Sequence, residues 1–231
     1  MRIYFLVEGR RTESKVYRAW LSHLIPELSR MDRYNEATTS GYFLISAEGY
    51  PSIIQDHIPN SVEDINRAGD YDYFVVSLDA DEATVQDRID EINESLSANA
   101  LHLINAELRI IVQNRCIETW LLGNRRIVKK SPEGSTLQNY VEHYNVRLYD
   151  PELMQKHSGF NTHAQFHNQY LKEIFRERNI HYSKKSPGEA LKKTYLEELR
   201  SRVRDEPSHL GSLQAFLDFC SLVKSQIATD L

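Results

Sequence analysis

The chain has 231 residues and a net charge of −5, with 41% hydrophobic and 26% charged residues. This composition is that of an ordinary soluble globular protein, and the net charge excludes a chain that is basic throughout for binding nucleic acid. Because the chain is acidic overall, a polyanionic partner must bind to a local basic patch or through bridging cations.

The sequence favours a cytoplasmic protein that does not enter a membrane. No apolar run approaches the roughly 20 residues that are needed to span a bilayer, and the apolar stretch before Glu8 is too short for a signal peptide. Cys116 and Cys220 lie far apart within apolar stretches, which predicts two buried free thiols in a reducing compartment.

Strand-like and helix-like patterns alternate in the first half of the chain. Continuous apolar runs, typical of strands buried on both faces, occur at 3–7, 42–45, 73–78 and 108–112. Apolar residues recur at helical spacing from Val16 to Leu24 and from Ile89 to Leu96. This alternation predicts an α/β, Rossmann-like fold with a mainly parallel sheet flanked by helices.

Beyond about Arg115 the pattern becomes helical and forms a C-terminal extension. One helix is expected to be capped by Ser186, with Pro187 in its first position and Glu189 completing a capping box. A final amphipathic helix is predicted to begin near Ser212.

Composition also changes between the two halves. The segment 129–135 is rich in Pro, Gly and Ser, which predicts a hinge between an α/β domain over 1–128 and a helical region over 129–231. Residues 32–99 hold 15 acidic and 3 basic side chains, whereas residues 172–204 hold 5 acidic and 10 basic ones. These are either two solvated helical faces or an acidic metal pocket beside a basic phosphate-binding face.

Acidic residues follow three of the predicted strands. They are Glu8 after the first, Asp79 and Asp81 after the third, and Glu118 shortly beyond the fourth. The carboxyl ends of parallel strands share one edge of a sheet, so these side chains can meet there. If strand geometry continues through the Asp-Ala-Asp segment, Asp79 and Asp81 point the same way. Grouped carboxylates suit Mg²⁺ or Mn²⁺ and repel one another without a cation.

Each of these acidic signals also has an ordinary structural explanation. An Asp-x-Asp segment after a strand is often a turn or a helix cap. Glu118 could pair with Arg115. The occurrence of all these acidic residues in this order is therefore stronger evidence for a metal site than any one of them.

Four segments occur in an order that is shared with a known family. They are FLVEGRRTESKVYRAWL at 5–21, VVSLDAD at 75–81, IVQNRCIETWLLGN at 111–124 and HYSKKSPGEAL at 181–191. The first resembles the E-G-x-x-T-E motif of TOPRIM domains of the RloB-like branch, which is related to OLD-family nucleases. The others are similar to that family's Asp-x-Asp, Glu-x-Trp-Leu-Leu and Tyr-x-Lys segments.

The resemblance implies a TOPRIM endonuclease that uses two Mg²⁺ or Mn²⁺ ions to cleave phosphodiesters in DNA or RNA, tRNA included. An activated water would attack phosphorus while the metals stabilise the attacking and leaving oxygens. Glu8 would be a metal ligand or general base, and Asp79 and Asp81 would be metal ligands. Glu118 would serve a second metal, and Glu13 would be a further ligand or an arginine's partner.

Basic residues complete the implied site. Lys184 would stabilise charge on the phosphate in the transition state, with Lys185 as an equally placed alternative. Arg10, Arg11 and Arg115 could bind scissile or flanking phosphates, or could neutralise the acidic pocket when metal is absent.

OLD-type proteins carry an ATPase ahead of the TOPRIM domain, but this chain has no Gly-x-x-x-x-Gly-Lys-Ser/Thr loop. The resemblance therefore implies a toxic effector of anti-phage defence that a separate ATPase controls. A homodimer is a further possibility because it would double the basic faces along a duplex.

Other interpretations stay open. His163 and His167 are spaced to share one helical face and could hold zinc, and the histidine-rich tail, which also contains His143, His157 and His181, could stack on RNA bases. The same carboxylates would also suit a Mg²⁺-dependent phosphotransferase or phosphohydrolase acting on a small substrate. A non-enzymatic alternative is a catalytically inert TOPRIM module that only binds partners.

Overall fold

The computed structural model describes residues 1–229, and the chain forms two compact units. The first unit contains Met1–Leu78, Val85–Val112 and the residues from Phe216 onward. The second contains Asp79–Thr84 and Gln113–Ala215. The predicted hinge segment 129–135 lies inside the second unit.

A five-stranded parallel sheet is the main feature of the first unit, and its predicted α/β class is confirmed. The strands lie in the order β2 (Ser29–Met31), β3 (Gly41–Ser46), β1 (Arg2–Val7), β4 (Tyr73–Asp79) and β5 (Glu107–Gln113). The last residues of β4 and β5 belong to the second unit. Each of the four predicted strands lies within an observed one. β2 was not predicted because it has only three residues, of which two are exposed.

Eight α-helices are present in the described part of the chain. They are α1 (Glu13–Leu24), α2 (Ile58–Ala68), α3 (Val85–Ala98), α4 (Ile117–Leu121), α5 (Ser135–His143), α6 (His163–Arg176), α7 (Lys193–Asp205) and α8 (Gly211–Thr229). A π-helical turn, Ile53–His57, runs directly into α2. The final helix, α8, begins at Gly211, which agrees with the predicted start near Ser212. None of the helices described combines the length and the apolar character that crossing a membrane requires.

The two faces of β1 explain its continuous apolar run. The Phe5 ring lies 6.5 Å from that of Tyr17 on α1 and 6.3 Å from that of Phe219 on α8. On the opposite face, the Tyr4 hydroxyl donates a hydrogen bond to Asp64 on α2 at 3.4 Å. Because helices cover both faces, alternate residues of β1 are equally buried and no polar side is needed.

β5 was predicted to be buried on both faces, and this prediction is wrong for its first half. Its first four residues are exposed or half-buried, and only Ile111, Val112 and Gln113 are fully buried. β5 lies at the edge of the sheet, where one side of the strand lacks a neighbour.

The predicted helix start at Ser186 is also wrong. Ser183 and Ser186 exchange two backbone hydrogen bonds, of 3.2 and 2.9 Å, in a tight turn. A short 3₁₀ segment, Gly188–Leu191, follows, and Gly188 has a φ of +36°. Lys192 is extended and α7 begins only after it. Ser186 caps no α-helix because the chain behind it forms only the short 3₁₀ segment and then extends at Lys192.

Candidate functional site

Glu8 lies in the first unit, directly after β1. Its backbone N–H donates to the Ser77 carbonyl on β4 at 2.9 Å, so the ends of these two strands are paired side by side. The loop that follows leads into α1, whose first residue is Glu13. Glu13 is only 9% exposed, and its carboxylate fills the space beside Gly9, where a Cβ would overlap it. A glycine after Glu8 thus makes room for the second acidic residue of the motif.

The two arginines of this loop lie on the surface. Arg10 and Arg11 are both exposed, and Arg10 Nη1 lies 3.4 Å from Glu48 Oε1 in a solvated ion pair. Such a pair contributes little to stability. Both side chains are exposed, as a contact with a phosphate requires.

Asp79 and Asp81 lie in the second unit. β4 ends at Asp79, and Asp81 has a φ of +53°, in the left-handed region. Strand geometry therefore does not continue through Asp-Ala-Asp. Asp79 and Asp81 were expected to point the same way only if it did, so this condition is not met. Aspartate is among the residues that tolerate this conformation.

Asp81 and Arg115 bond to each other twice. The Asp81 N–H donates to the Arg115 carbonyl at 2.8 Å, and Arg115 Nη1 donates to the Asp81 carbonyl at 3.1 Å and to the Ala83 carbonyl at 3.2 Å. Arg115 also has a positive φ, of +73°. The predicted phosphate-binding arginine thus contacts the backbone of the segment that carries Asp81.

Glu118 is the most buried acidic residue of the predicted site, with an exposed fraction of 0%. Its Oε1 atom accepts a hydrogen bond from the Tyr182 hydroxyl at 3.3 Å and lies 3.6 Å from Lys184 Nζ. Its Oε2 atom has no hydrogen-bond partner among the described residues. Glu118 pairs with Lys184 and not with Arg115. A buried carboxylate oxygen without a donor is costly and is suited to accept a cation.

Asp79 and Glu118 share an electrostatic environment in the second unit. Burial raises the pKa of the Cys116 thiol well above its usual value, and the negative charges of Glu118 and Asp79 raise this pKa further. Burial also raises the pKa of Tyr182, and Glu118 adds to that effect.

The prediction of two buried free thiols is confirmed for Cys116 and Cys220.

Lys184 and Lys185 occupy the tip of the turn closed by Ser183 and Ser186, and both are exposed. The turn brings Lys184 to Glu118, 66 residues earlier in the chain. Tyr182 was not predicted as a site residue, although the Tyr-x-Lys motif contains it. Its hydroxyl contact with Glu118 could not be read from the sequence because the two residues are far apart in the chain.

A contact between Glu82 and His163 was also not predicted. Glu82 Oε1 accepts a hydrogen bond from the His163 backbone N–H at 2.7 Å, and Glu82 Oε2 lies 2.7 Å from His163 Nδ1. Burial opposes ionisation of Glu82, but these hydrogen bonds outweigh it and lower the pKa of this carboxyl. Residues separated by 81 positions leave no local sequence signal for such a pair.

His167 is a core histidine. Its Nδ1 atom lies 2.8 Å from Thr119 Oγ1 on α4, and its Nε2 atom lies 3.3 Å from the Met154 carbonyl. A carbonyl can only accept, so Nε2 carries the proton and Nδ1 accepts from the threonine hydroxyl. Both ring nitrogens are thus engaged, which leaves His167 unsuited to the zinc site that its spacing from His163 permitted.

The residues present fit Mg²⁺ or Mn²⁺ only with help from other ligands. Within residues 1–229, no three His, Cys, Asp or Glu side chains are grouped so that they could hold a metal ion. Mg²⁺ is commonly bound by one or two carboxylates, with waters and substrate phosphate supplying the other oxygens. The unpartnered Glu118 Oε2 supplies one such oxygen, and Asp79, whose charge also acts on Cys116, is the candidate for a second carboxylate.

Comparison of the chain with known protein families, with curated proteins and with solved structures finds no match in any of the three. The resemblance to TOPRIM nucleases therefore rests on the sequence motifs alone.

Proposed function

We propose that this chain is a divalent-metal-dependent phosphodiester nuclease of the TOPRIM type. The observation that carries the proposal is the Glu118 carboxylate. It is fully buried, one of its oxygens has no donor within the described chain, and a lysine ammonium lies 3.6 Å from the other. A carboxylate buried in this way is costly as a purely structural element, so a ligand that it binds is the simplest reason for its presence.

The other acidic residues support the same proposal. Glu8 directly follows β1, and Asp79 ends the neighbouring strand β4. Open parallel sheets bind their ligands at the carboxyl ends of the strands. Within the second unit we assign metal binding to Glu118 and Asp79. Glu8, Asp81 and Glu13 are carried over as metal ligands on the resemblance alone. When bound, Mg²⁺ or Mn²⁺ would activate water and neutralise charge on the phosphate.

Lys184 has the role of an electrostatic stabiliser. Its ammonium group pairs with Glu118, and its side chain is 47% exposed at the tip of the turn. A point charge in this position can attract a scissile phosphate and offset the charge that develops on its oxygens. Glu8 could accept a proton from the attacking water.

The substrate class and the biological context are further parts of the proposal. The resemblance favours a nucleic acid substrate, DNA or RNA, and a role as an anti-phage effector held in check by a separate ATPase. Arg10, Arg11 and Lys185 are exposed and could contact flanking phosphates through charge.

The first test compares the full-length wild type with Glu8→Gln, which keeps the side-chain volume and removes the charge. Both are incubated with plasmid DNA, with total tRNA and with a small phosphodiester, in Mg²⁺, Mn²⁺ or EDTA. Glu63→Gln is a matched control because Glu63 lies on the surface of α2, with 68% of its side chain exposed.

Cleavage of a polynucleotide by the wild type and by Glu63→Gln, but not by Glu8→Gln or in EDTA, would support the nuclease. Cleavage of the small substrate alone would favour a phosphohydrolase. A wild type that binds Mn²⁺ in calorimetry without cleaving any substrate would point to an effector that needs its ATPase. Absence of metal binding would contradict the proposed function.

A further inference from the structure

The segment 79–84, which carries Asp79 and Asp81, is fastened to α6 by one carboxylate. Glu82 accepts two hydrogen bonds of 2.7 Å from the same residue, His163, one from its backbone N–H and one from its ring. His163 is the first residue of α6. Its backbone N–H is one of those that a helix leaves without an internal partner, so the Glu82 carboxylate satisfies a real requirement of α6.

The ring contact has a defined chemistry. An ionised carboxylate can only accept hydrogen bonds, so His163 Nδ1 must carry a proton. The His163 side chain is 9% exposed. Its ring lies between Glu82 on one side and the side-chain amide of Gln155, 3.4 Å from His163 Nε2, on the other. The ring is therefore fixed in orientation, and it is a firm anchor for Glu82.

One residue of the anchored segment, Asp81, has a left-handed backbone, with a φ of +53°. Arg115, which lies outside the segment and bonds to Asp81, also has a left-handed backbone, with a φ of +73°. Such conformations persist only where the surroundings enforce them. Here the enforcing contacts are the two Asp81–Arg115 hydrogen bonds, the Arg115 contact with the Ala83 carbonyl, and the Glu82–His163 pair one residue beyond Asp81.

We propose that Glu82 and His163 are positioning residues that hold the 79–84 segment in its observed conformation and thereby fix the Asp81 carboxylate. This inference deepens the proposed function. The effect of Glu82 and His163 on metal binding rests on that function. Neither residue needs to touch metal or substrate. Residues that orient a metal ligand from behind typically change metal affinity about 10- to 100-fold when they are removed.

The test uses two substitutions of His163 in the full-length chain. His163→Asn keeps an N–H donor near the position of Nδ1, whereas His163→Leu fills similar space without a donor. Both keep the backbone N–H that donates to Glu82 Oε1. Amide hydrogen exchange over 79–84 is measured without metal, and Mn²⁺ binding is measured separately by calorimetry.

We expect exchange of the Ala80 and Asp81 amides to become about tenfold faster in His163→Leu and to stay close to wild type in His163→Asn. We expect the Mn²⁺ dissociation constant to rise about tenfold in His163→Leu alone. Unchanged exchange in His163→Leu would overturn the proposal, as would the same acceleration in His163→Asn.

The two measurements separate this inference from the proposed function. Faster exchange in His163→Leu with unchanged Mn²⁺ affinity would overturn the positioning role while leaving the nuclease proposal intact. A wild type that binds no Mn²⁺ would overturn both the metal site and the positioning of its ligand. In that case the exchange data would still decide whether the Glu82–His163 pair holds the segment.

Discussion

Lys184 Nζ lies 3.6 Å from Glu118 Oε1, and this ion pair joins an exposed turn to a fully buried carboxylate. The sequence placed Lys184 and Lys185 on equal terms, but the structure gives Lys184 the contact with Glu118. The pair puts a lysine ammonium beside the residue whose second oxygen has no donor in the described chain.

We therefore expect Lys184→Ala to reduce the single-turnover rate of nucleic acid cleavage by about 100-fold or more, because one electrostatic stabiliser of the transition state is lost. Lys185→Ala, which removes the same charge one residue away, should have a much smaller effect. Rates measured with enzyme in excess isolate the chemical step. Equal losses in the two variants would show that only the net charge of the turn matters.

Glu118→Gln should separate stability from metal binding. Removing a buried charge with one unsatisfied oxygen should leave the free energy of unfolding in EDTA unchanged or raise it by about 1 kcal/mol, which corresponds to about 2–4 °C in Tm for a chain of this size. Saturating Mn²⁺ should stabilise the wild type, by about 2.7 kcal/mol at one hundred times its Kd, but not the variant. Thermal unfolding with and without Mn²⁺ gives both values, and a strong loss of stability in EDTA would instead assign Glu118 a structural role.

Gly9→Ala tests whether Glu13 is a metal ligand. The added Cβ would overlap the Glu13 carboxylate, which is the flexible end of its side chain and can move at little cost in stability. Displacing a true ligand should weaken Mn²⁺ binding about tenfold, as measured by calorimetry. Gly159→Ala is the matched control, because a Cβ there meets only an ordinary contact with His157. Unchanged affinity in Gly9→Ala would remove Glu13 from the site.

His167 should make the protein sensitive to acid. Burial lowers its pKa from 6.5 to about 3, so the unfolded chain takes up this proton first as the pH falls. The contribution of His167 to stability is therefore complete above about pH 6.5 and is lost progressively between that pH and about 3, at up to about 1.4 kcal/mol per pH unit. Urea unfolding between pH 7 and pH 5 should show a smaller pH slope in His167→Gln than in the exposed control His102→Gln. Equal slopes would mean that His167 is accessible to protons in the native state.

Both thiols should be unreactive in the folded protein. Burial raises the pKa of Cys116 and of Cys220, so neither forms the nucleophilic thiolate near neutral pH. A thiol reagent at pH 8 should label no cysteine in native protein and two per chain in guanidinium chloride. Rapid labelling of one native thiol would show that its surroundings open readily.

Local patterns in the sequence determined the main strands of this protein and its α/β class. Continuous apolar runs predicted four strands, since a strand covered on both faces needs no polar side, and the predicted parallel α/β class is observed. The positions of Glu8 and Asp79 at strand ends followed from the same runs. Short or irregular elements were missed: β2 has only three residues, and the backbone turn at Ser183 and Ser186 overrode a good capping sequence.

Tertiary structure alone decided the partners of the acidic residues. Glu118 meets Tyr182 and Lys184 because a turn far along the chain folds onto α4, and Glu82 meets His163 because α6 begins beside the 79–84 segment. The left-handed backbone of Asp81 likewise depends on its hydrogen bonds with Arg115. Sequence periodicity reports which face of an element is buried, whereas pairing between distant side chains depends on how the whole chain packs, and no local pattern encodes it.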